Sequence, residues 1–341
     1  MHIPESFWRQ FLLWGVNVMF DEKEMILEAK HVTRRFLTSG GRELTACRDI
    51  NLKLYKGKTL GLIGESGCGK STFLRFLVRL DIPTEGEILF RGKDLTKQKG
   101  EELRQLRRHI QMVFQDPGGS LNPKMKIRDI ICEPLINFGQ IKTSEKDEAA
   151  RRLLETVELP GEVADRFAHT LSGGQQQRIA IARAIALEPE LIIMDEATSA
   201  LDVSVQKSII KLIVKLQQEK KMAIAFIAHD LGLIQAFAHQ IAVMYLGSIV
   251  EILPGKDVEK AQHPYTRMLL SAVFDPKMDF SKKIERMDGE IPSPLDVPPG
   301  CPFQTRCRHC VERCRQTRPA LAEWRPGHKV ACHIFGKQGK A

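Results

Sequence analysis

The stretch Gly64-Glu65-Ser66-Gly67-Cys68-Gly69-Lys70-Ser71-Thr72, GESGCGKST, decides the fold. Gly64, Gly69, Lys70 and Ser71 stand at the four fixed places of a P-loop. The apolar run TLGLIG before it reads as a buried strand, and STFLRFLVRL after it reads as a helix. Gly67 and Gly69 carry no Cβ, so backbone N–H groups can turn inward around an oxyanion. The new helix points its positive end at the same spot. Lys70 brings a point charge for β- and γ-phosphates, and the Ser71 hydroxyl is placed to ligate Mg²⁺. A turn that merely joined strand to helix would need neither the lysine nor the serine.

Working outward, 341 residues exceed one ordinary core, so a large domain with an extension, or two domains, is expected. Hydrophobic residues are 43% and charged residues 27%, as in soluble globular chains. No apolar run is long enough to span a bilayer. The formal charge of +9 points to an anionic partner or a solvated basic surface. Three tyrosines and no aromatic-basic stripe argue against a nucleic-acid partner. Five of the eight cysteines fall between Cys301 and Cys332. Beside a nucleotide-type motif, that clustering reads as a metal or cluster site rather than as disulfides.

Residues 1–24 hold Phe7, Phe11 and Trp14 at helical spacing. They read as an amphipathic helix on a membrane surface or partner, or as a non-native start ahead of Met25. Lacking a small-residue cleavage site, they do not read as a signal peptide. MILEAKHVTRRF and ELTACRDINLKLYKG alternate as antiparallel strands around Gly40 and Gly41. GEILFRGKDL reads as strand and turn, and RRHIQMVFQD as a strand ending at Gln115. Residues from about 116 to 172 read as a mostly helical insertion. QQQRIAIARAIAL and KSIIKLIVKLQQEK read as helices, LIIMDE and MAIAFIAHD as strands, and IAVMYLGSIVEI as a hairpin pivoting on Gly247. PSPLDVPPGCPF is too proline-rich to hold regular structure for long.

Chemistry concentrates at two later places. Asp195 closes an apolar strand, which suits a carboxylate held near Mg²⁺. Glu196 beside it can take a proton from an attacking water. Ser172, Gly173 and Gly174 open a helix in LSGGQ, a second surface of exposed N–H groups about a hundred residues after the first. The plainer alternative is a serine-capped helix start with a flexible glycine entry.

Taken together, GESGCGKST, Gln115 in VFQD, LSGGQ, LIIMDE, SALD and His229 resemble the ATPase subunits of ATP-binding cassette (ABC) transporters. The resemblance implies a P-loop α/β cassette with a parallel-sheet core, an antiparallel β sub-domain and a helical sub-domain. It implies two ATPase subunits that sandwich ATP head to tail, each P-loop facing the other's Ser172, Gly173, Gly174 and Gln175. All nine residues from Gly64 to Thr72 would hold nucleotide. Ser71, Gln115 and Asp195 would serve Mg²⁺. Glu196, His229 and Gln115 would serve hydrolysis, Asp202 the dimer contact, and Phe36 the adenine.

SLNPKM, HPYTRMLLSAV, GEIPSP and GCPF followed by cysteines are similar to ATPases of oligopeptide and dipeptide importers, specifically the second of two. This implies residues 25–262 as the ATPase domain and 263–341 as a small Cys-rich extension. It also implies a related ATPase partner, two membrane permeases, an extracytoplasmic binding protein, and a place on the cytoplasmic face of the membrane. Cys301, Cys307, Cys314 and Cys332, with five, six and seventeen residues between them, resemble ligands of a four-iron four-sulfur cluster. Cys310 and His309 keep Zn²⁺ open. The rival readings are a soluble ABC ATPase acting on nucleic acid, ribosomes or cluster assembly, and an ATP-dependent iron–sulfur sensor.

Overall fold

The structure is a computed structural model and describes residues 20–198, 201–228, 230–271 and 289–335. The expected amphipathic helix falls largely on residues 1–19, outside the described residues. In chain order the elements begin with β1 (Met25–Leu37), β2 (Glu43–Tyr55), β3 (Thr59–Ile63), α1 (Lys70–Leu77), β4 (Glu85–Phe90) and β5 (Lys93–Asp94). Next come α2 (Gly100–Arg108), β6 (Ile110–Val113), α3 (Pro117–Ser120), α4 (Ile127–Asn137), α5 (Lys146–Thr156) and α6 (Gly173–Ile185). Then follow β7 (Leu191–Met194), α7 (Val203–Lys220), β8 (Ala223–Ile227), α8 (Leu231–Gln235), β9 (Gln240–Tyr245) and β10 (Ser248–Pro254). The extension adds α9 (Pro264–Ser271), α10 (Glu312–Gln316), β11 (Ala322–Arg325) and β12 (His328–Val330).

The chain divides into two units. One comprises Met1–Tyr55, Thr59–Thr96 and Ile227–Ala341; the other comprises Lys56–Lys58 and Lys97–Phe226.

In the first unit, β1 and β2 pair antiparallel with Phe36 opposite Leu44, and β4 and β5 continue the sheet in the order β2-β1-β4-β5. A second sheet runs β11-β12-β10-β9-β3. Here β3 and β9 are parallel, whereas β10 folds back on β9 and β12 pairs antiparallel with β10. So the parallel β3–β9 pair is extended by the hairpin expected around Gly247, and the sheet is mixed. The hairpin turns at Leu246 and Gly247, with φ of 42° and 79°, the left-handed pair that a two-residue turn demands. Every residue of β3 is buried, which is why its sequence runs apolar without alternation.

The second unit contains parallel strands in the order β6-β7-β8. β7 and β8 are buried throughout. Each fully buried Ile there contributes about 2 kcal/mol of apolar transfer. α7 buries Ile209, Ile210, Leu212, Ile213 and Leu216, one face at helical spacing. Among the described residues, 116–172 carry helices and no strand longer than the single bridge of Lys126 to Phe167.

The extension is tied to β10 by a buried carboxylate. Glu251 accepts from the amides of Gln262 (2.6 Å) and His263 (3.2 Å), and its Oε1 lies 2.7 Å from His328 Nε2. Phe303 packs edge-on against Tyr245, ring centroids 5.3 Å apart. The stretch 289–311 otherwise holds only turns and bends, as its prolines dictate.

His263 gives this region a pH signature. The Tyr265 amide donates to its Nδ1 at 3.1 Å, so that nitrogen must be unprotonated. Burial pushes the imidazole down to about 4. Its unfolded counterpart titrates near 6.5, so the unfolded state takes the proton first on acidification. The stability due to neutral His263 is therefore complete above about pH 6.5 and is lost as pH falls toward about 4. Urea unfolding across that window should show a steeper loss in the native protein than in His263→Gln. Equal slopes would refute the assignment.

Candidate functional site

The loop Gly64–Thr72 enters from β3 and delivers Lys70 as the first residue of α1. Two glycines explain its path. A Cβ at Gly69, where φ is 104°, would fall 2.1 Å from the Ala46 carbonyl oxygen. One at Gly64 would fall 2.2 Å from the Met244 carbonyl oxygen. Neither position admits a side chain. Ser66, Gly67 and Ser71 are exposed, Glu65, Gly69 and Thr72 half-buried, and Cys68 buried. Burial, the largest influence, pushes the Cys68 thiol up despite Lys70 beside it, so it serves as an inert small side chain.

Lys70 is itself only 4% exposed. Its ammonium donates to the carbonyls of Gly64 (2.8 Å) and Glu65 (2.9 Å) and lies 3.8 Å from Cys68 Sγ. The amide of Glu65 donates to Tyr265 Oη at 3.0 Å. Its carboxylate accepts two bonds from Arg306, Nη1 to Oε2 at 2.8 Å and Nη2 to Oε1 at 2.9 Å. Neither Tyr265 nor Arg306 was among the residues expected at this loop. Tyr265 lies in the HPYTRM stretch and Arg306 between two of the cysteines, so both fell in quoted segments, but no spacing rule links them to Glu65.

Phe36 is half-buried on β1, with the Arg34 guanidinium 4.5 Å from its ring centroid. Arg34 is held in turn by the Ile82 carbonyl at 2.8 Å and by Asp81 at 3.3 Å.

The remaining expected residues belong to the second unit. Asp195 and Glu196 follow β7 directly, and the Asp195 amide donates to the Val113 carbonyl at 3.0 Å. Glu196 takes a left-handed φ of 48°, a strained choice for a side chain with a Cβ. Its Oε2 accepts from Gln115 Nε2 at 2.8 Å, so these two are brought together. Ser172 caps α6 reciprocally: its Oγ accepts from the Gln175 amide at 3.3 Å, and its own amide donates to Gln175 Oε1 at 3.1 Å. The serine-capped helix start is thus realised, with Ser172 and Gly173 exposed at its tip. A Cβ at Gly174 would meet Val205 Cγ1 at 2.5 Å, so α7 packs closely there. Asp202 is exposed at the N-terminus of α7. His229 lies outside the described residues.

All eight cysteines are free thiols. Burial pushes Cys301 up to about 12 and Cys307 up to about 11, and neighbouring thiols, Cys314 and Cys332 among them, add to both shifts. Among the described residues, no group of three or more His, Cys, Asp or Glu side chains is arranged to hold a metal ion. The expected cluster on Cys301, Cys307, Cys314 and Cys332 and the zinc alternative both need ligands gathered around one centre, and this arrangement supports neither.

Two family models match the chain. The model described as ABC transporter covers residues 47–199, and the model described as Oligopeptide/dipeptide transporter, C-terminal region covers residues 250–314. The Oligopeptide transport ATP-binding protein OppF of Haemophilus influenzae is 43% identical over 326 residues, covering 92% of this chain and 98% of that protein. The Oligopeptide transport ATP-binding protein AppF of Bacillus subtilis is 43% identical over 323 residues, with the same shares covered. Among solved structures, the dimeric structure of MJ0796, a bacterial ABC transporter cassette, superposes with a TM-score of 0.62 and 31% identity. It covers 68% of this chain and 99% of that one. The loop around Lys70, the strand ending in Asp195 and Glu196, and the capped LSGGQ helix are thus parts of one cassette, and the chain belongs to the ABC transporter ATPases that carry the oligopeptide/dipeptide transporter C-terminal region.

Proposed function

We propose that this chain binds and hydrolyses ATP to power an importer of oligopeptides or dipeptides. It would act peripherally on the cytoplasmic face of the membrane, with two separate permease subunits, an extracytoplasmic binding protein and a second, related ATPase subunit. No described helix is long and apolar enough to cross a membrane. The observation that carries the reading is the seat of Lys70: a buried ammonium held on loop carbonyls, in a chain similar over 92% of its length to an oligopeptide transport ATP-binding protein.

In this reading Lys70 and the amides of residues 64–72 bind the β- and γ-phosphates. Ser71, Gln115 and Asp195 supply the oxygen donors that suit Mg²⁺, which would neutralise phosphate charge. Glu196 orients the attacking water and accepts its proton, and the Gln115 hydrogen bond holds that carboxylate in place. His229 contacts the γ-phosphate. Adenine stacks on Phe36, whose ring also meets the Arg34 guanidinium. Ser172, Gly173, Gly174, Gln175 and Asp202 serve the nucleotide of the other ATPase subunit; the exposed, capped start of the thirteen-residue α6 supports that role. Residues 25–262 form the ATPase domain and 263–341 the extension.

Glu196→Gln should keep ATP binding and lower turnover in the assembled transporter by ~10²–10⁴-fold. Unchanged turnover would refute the role of Glu196. For the LSGGQ surface, Ser172 is a cleaner probe than Gly174, whose replacement would also disturb Val205.

We also propose that Cys301, Cys307, Cys314 and Cys332 hold a four-iron four-sulfur cluster. The support is the spacing of the four cysteines along the chain, with the Cys301 amide donating to the Cys314 carbonyl at 2.8 Å. Protein purified without oxygen should contain about four iron and about four sulfide per chain, lost on Cys314→Ser and kept on Cys310→Ser. Colourless protein without iron, or stoichiometric zinc, would sink this proposal.

A further inference from the structure

We infer that Arg306 and Tyr265, both in the C-terminal extension, are positioning residues for the P-loop. The inference rests on the reading of that loop as the phosphate site. Glu65 is the residue through which the extension acts. Each of its polar groups has a distinct partner. The amide donates to Tyr265 Oη at 3.0 Å, the carbonyl accepts from Lys70 Nζ at 2.9 Å, and both carboxylate oxygens accept from Arg306 at 2.8 and 2.9 Å. Two of the three come from the extension, and the third is the lysine that would meet phosphate. The Glu65 N–H shares its peptide plane with the Gly64 carbonyl, so rotating that peptide moves one of the two carbonyls on which Lys70 rests.

Arg306 is itself held rigidly. Its side chain is 3% exposed, and Nη1 also donates to Tyr245 Oη at 3.3 Å. The guanidinium lies 5.8 Å from the Tyr245 ring and 5.9 Å from the Phe303 ring. Its backbone is fixed by a compact turn: Arg306 N donates to the Phe303 carbonyl at 3.1 Å, and Cys301 N to the Cys314 carbonyl at 2.8 Å. Tyr265 is fully buried, its ring 4.7 Å from Tyr245 and 5.5 Å from Phe303. A bidentate guanidinium–carboxylate pair fixes direction as well as distance, which a lysine cannot do. Side chains packed this tightly have one rotamer, so they transmit the position of the extension to the loop.

A plain fastening role would need only affinity between extension and unit. The exposed pair of Arg42 and Asp296 already fastens the proline-rich stretch to the β1–β2 turn without touching the P-loop. It provides the control.

The test uses the full chain, with Mg²⁺ and ATPγS as the probe, and follows amide hydrogen exchange at residues 64–70. Arg306→Gln should weaken ATPγS binding by ~10–100-fold and speed exchange in that loop, because small misplacements of binding groups are costly. Arg306→Lys should recover part of the loss. Glu65→Gln should resemble Arg306→Gln, and the double variant should be no worse than the weaker single, since both break one interaction. Arg42→Gln should leave binding and loop exchange unchanged. Should Arg306→Gln fail to fold, Tyr265→Phe keeps the ring and removes only the hydroxyl, and should still speed exchange at Glu65. Folded Arg306→Gln with native affinity and native loop exchange would overturn the inference, as would additive losses in the double variant. Lys70→Ala separates the two readings. If it leaves ATPγS binding intact, the phosphate-site reading fails, and loop exchange in Arg306→Gln still decides whether the extension positions the loop.

Discussion

Burying the ammonium of Lys70 is the constraint around which the first unit is arranged. An unpaired charge at 4% exposure would cost several kcal/mol, so its protons must find acceptors. They find the carbonyls of Gly64 and Glu65. For those carbonyls to face inward, the loop has to pass so close to Met244 and Ala46 that only glycine fits at Gly64 and Gly69. Glu65, free of that steric limit, is gripped instead by Tyr265 and Arg306. The strand, the turn and the extension each answer one demand of the same buried charge.

The second unit solves a different problem. β7 and β8 are buried along their length, so the carboxylates of Asp195 and Glu196 can appear only where β7 ends. Glu196 pays for its position with a left-handed backbone, a cost of about 1 kcal/mol, and recovers part of it in the bond from Gln115. The capped start of α6 satisfies its own amide with Gln175, so its exposed glycine remains available at the surface.

The extension is held by buried polar groups beside the packed rings of Tyr265 and Phe303. Glu251 gathers two amides and His328, and Glu65 gathers Tyr265 and Arg306. Such pairs are costly to break and specific in geometry. They help a proline-rich stretch hold one conformation around the buried Phe303. The antiparallel pairing of β12 with β10 lies beside the Glu251 that anchors the extension.

The P-loop, the buried strands, the capped LSGGQ helix, the Gly247 turn and the paired acids were all legible in the sequence. Each is a local matter, settled by backbone conformation or by a run of apolar residues within a few positions. The cysteine spacing was equally legible as a cluster of thiols, but spacing carries no distances, and a metal needs distances. The partner of Gln115 was not readable, because 81 positions separate it from Glu196. Nor was the clamp on Glu65, whose arginine lies 241 positions away in a segment without period or repeat. A side chain's partner at that range is chosen by how sheets and turns stack, and only the folded chain brings Arg306, Tyr265 and Lys70 to the three polar groups of one glutamate.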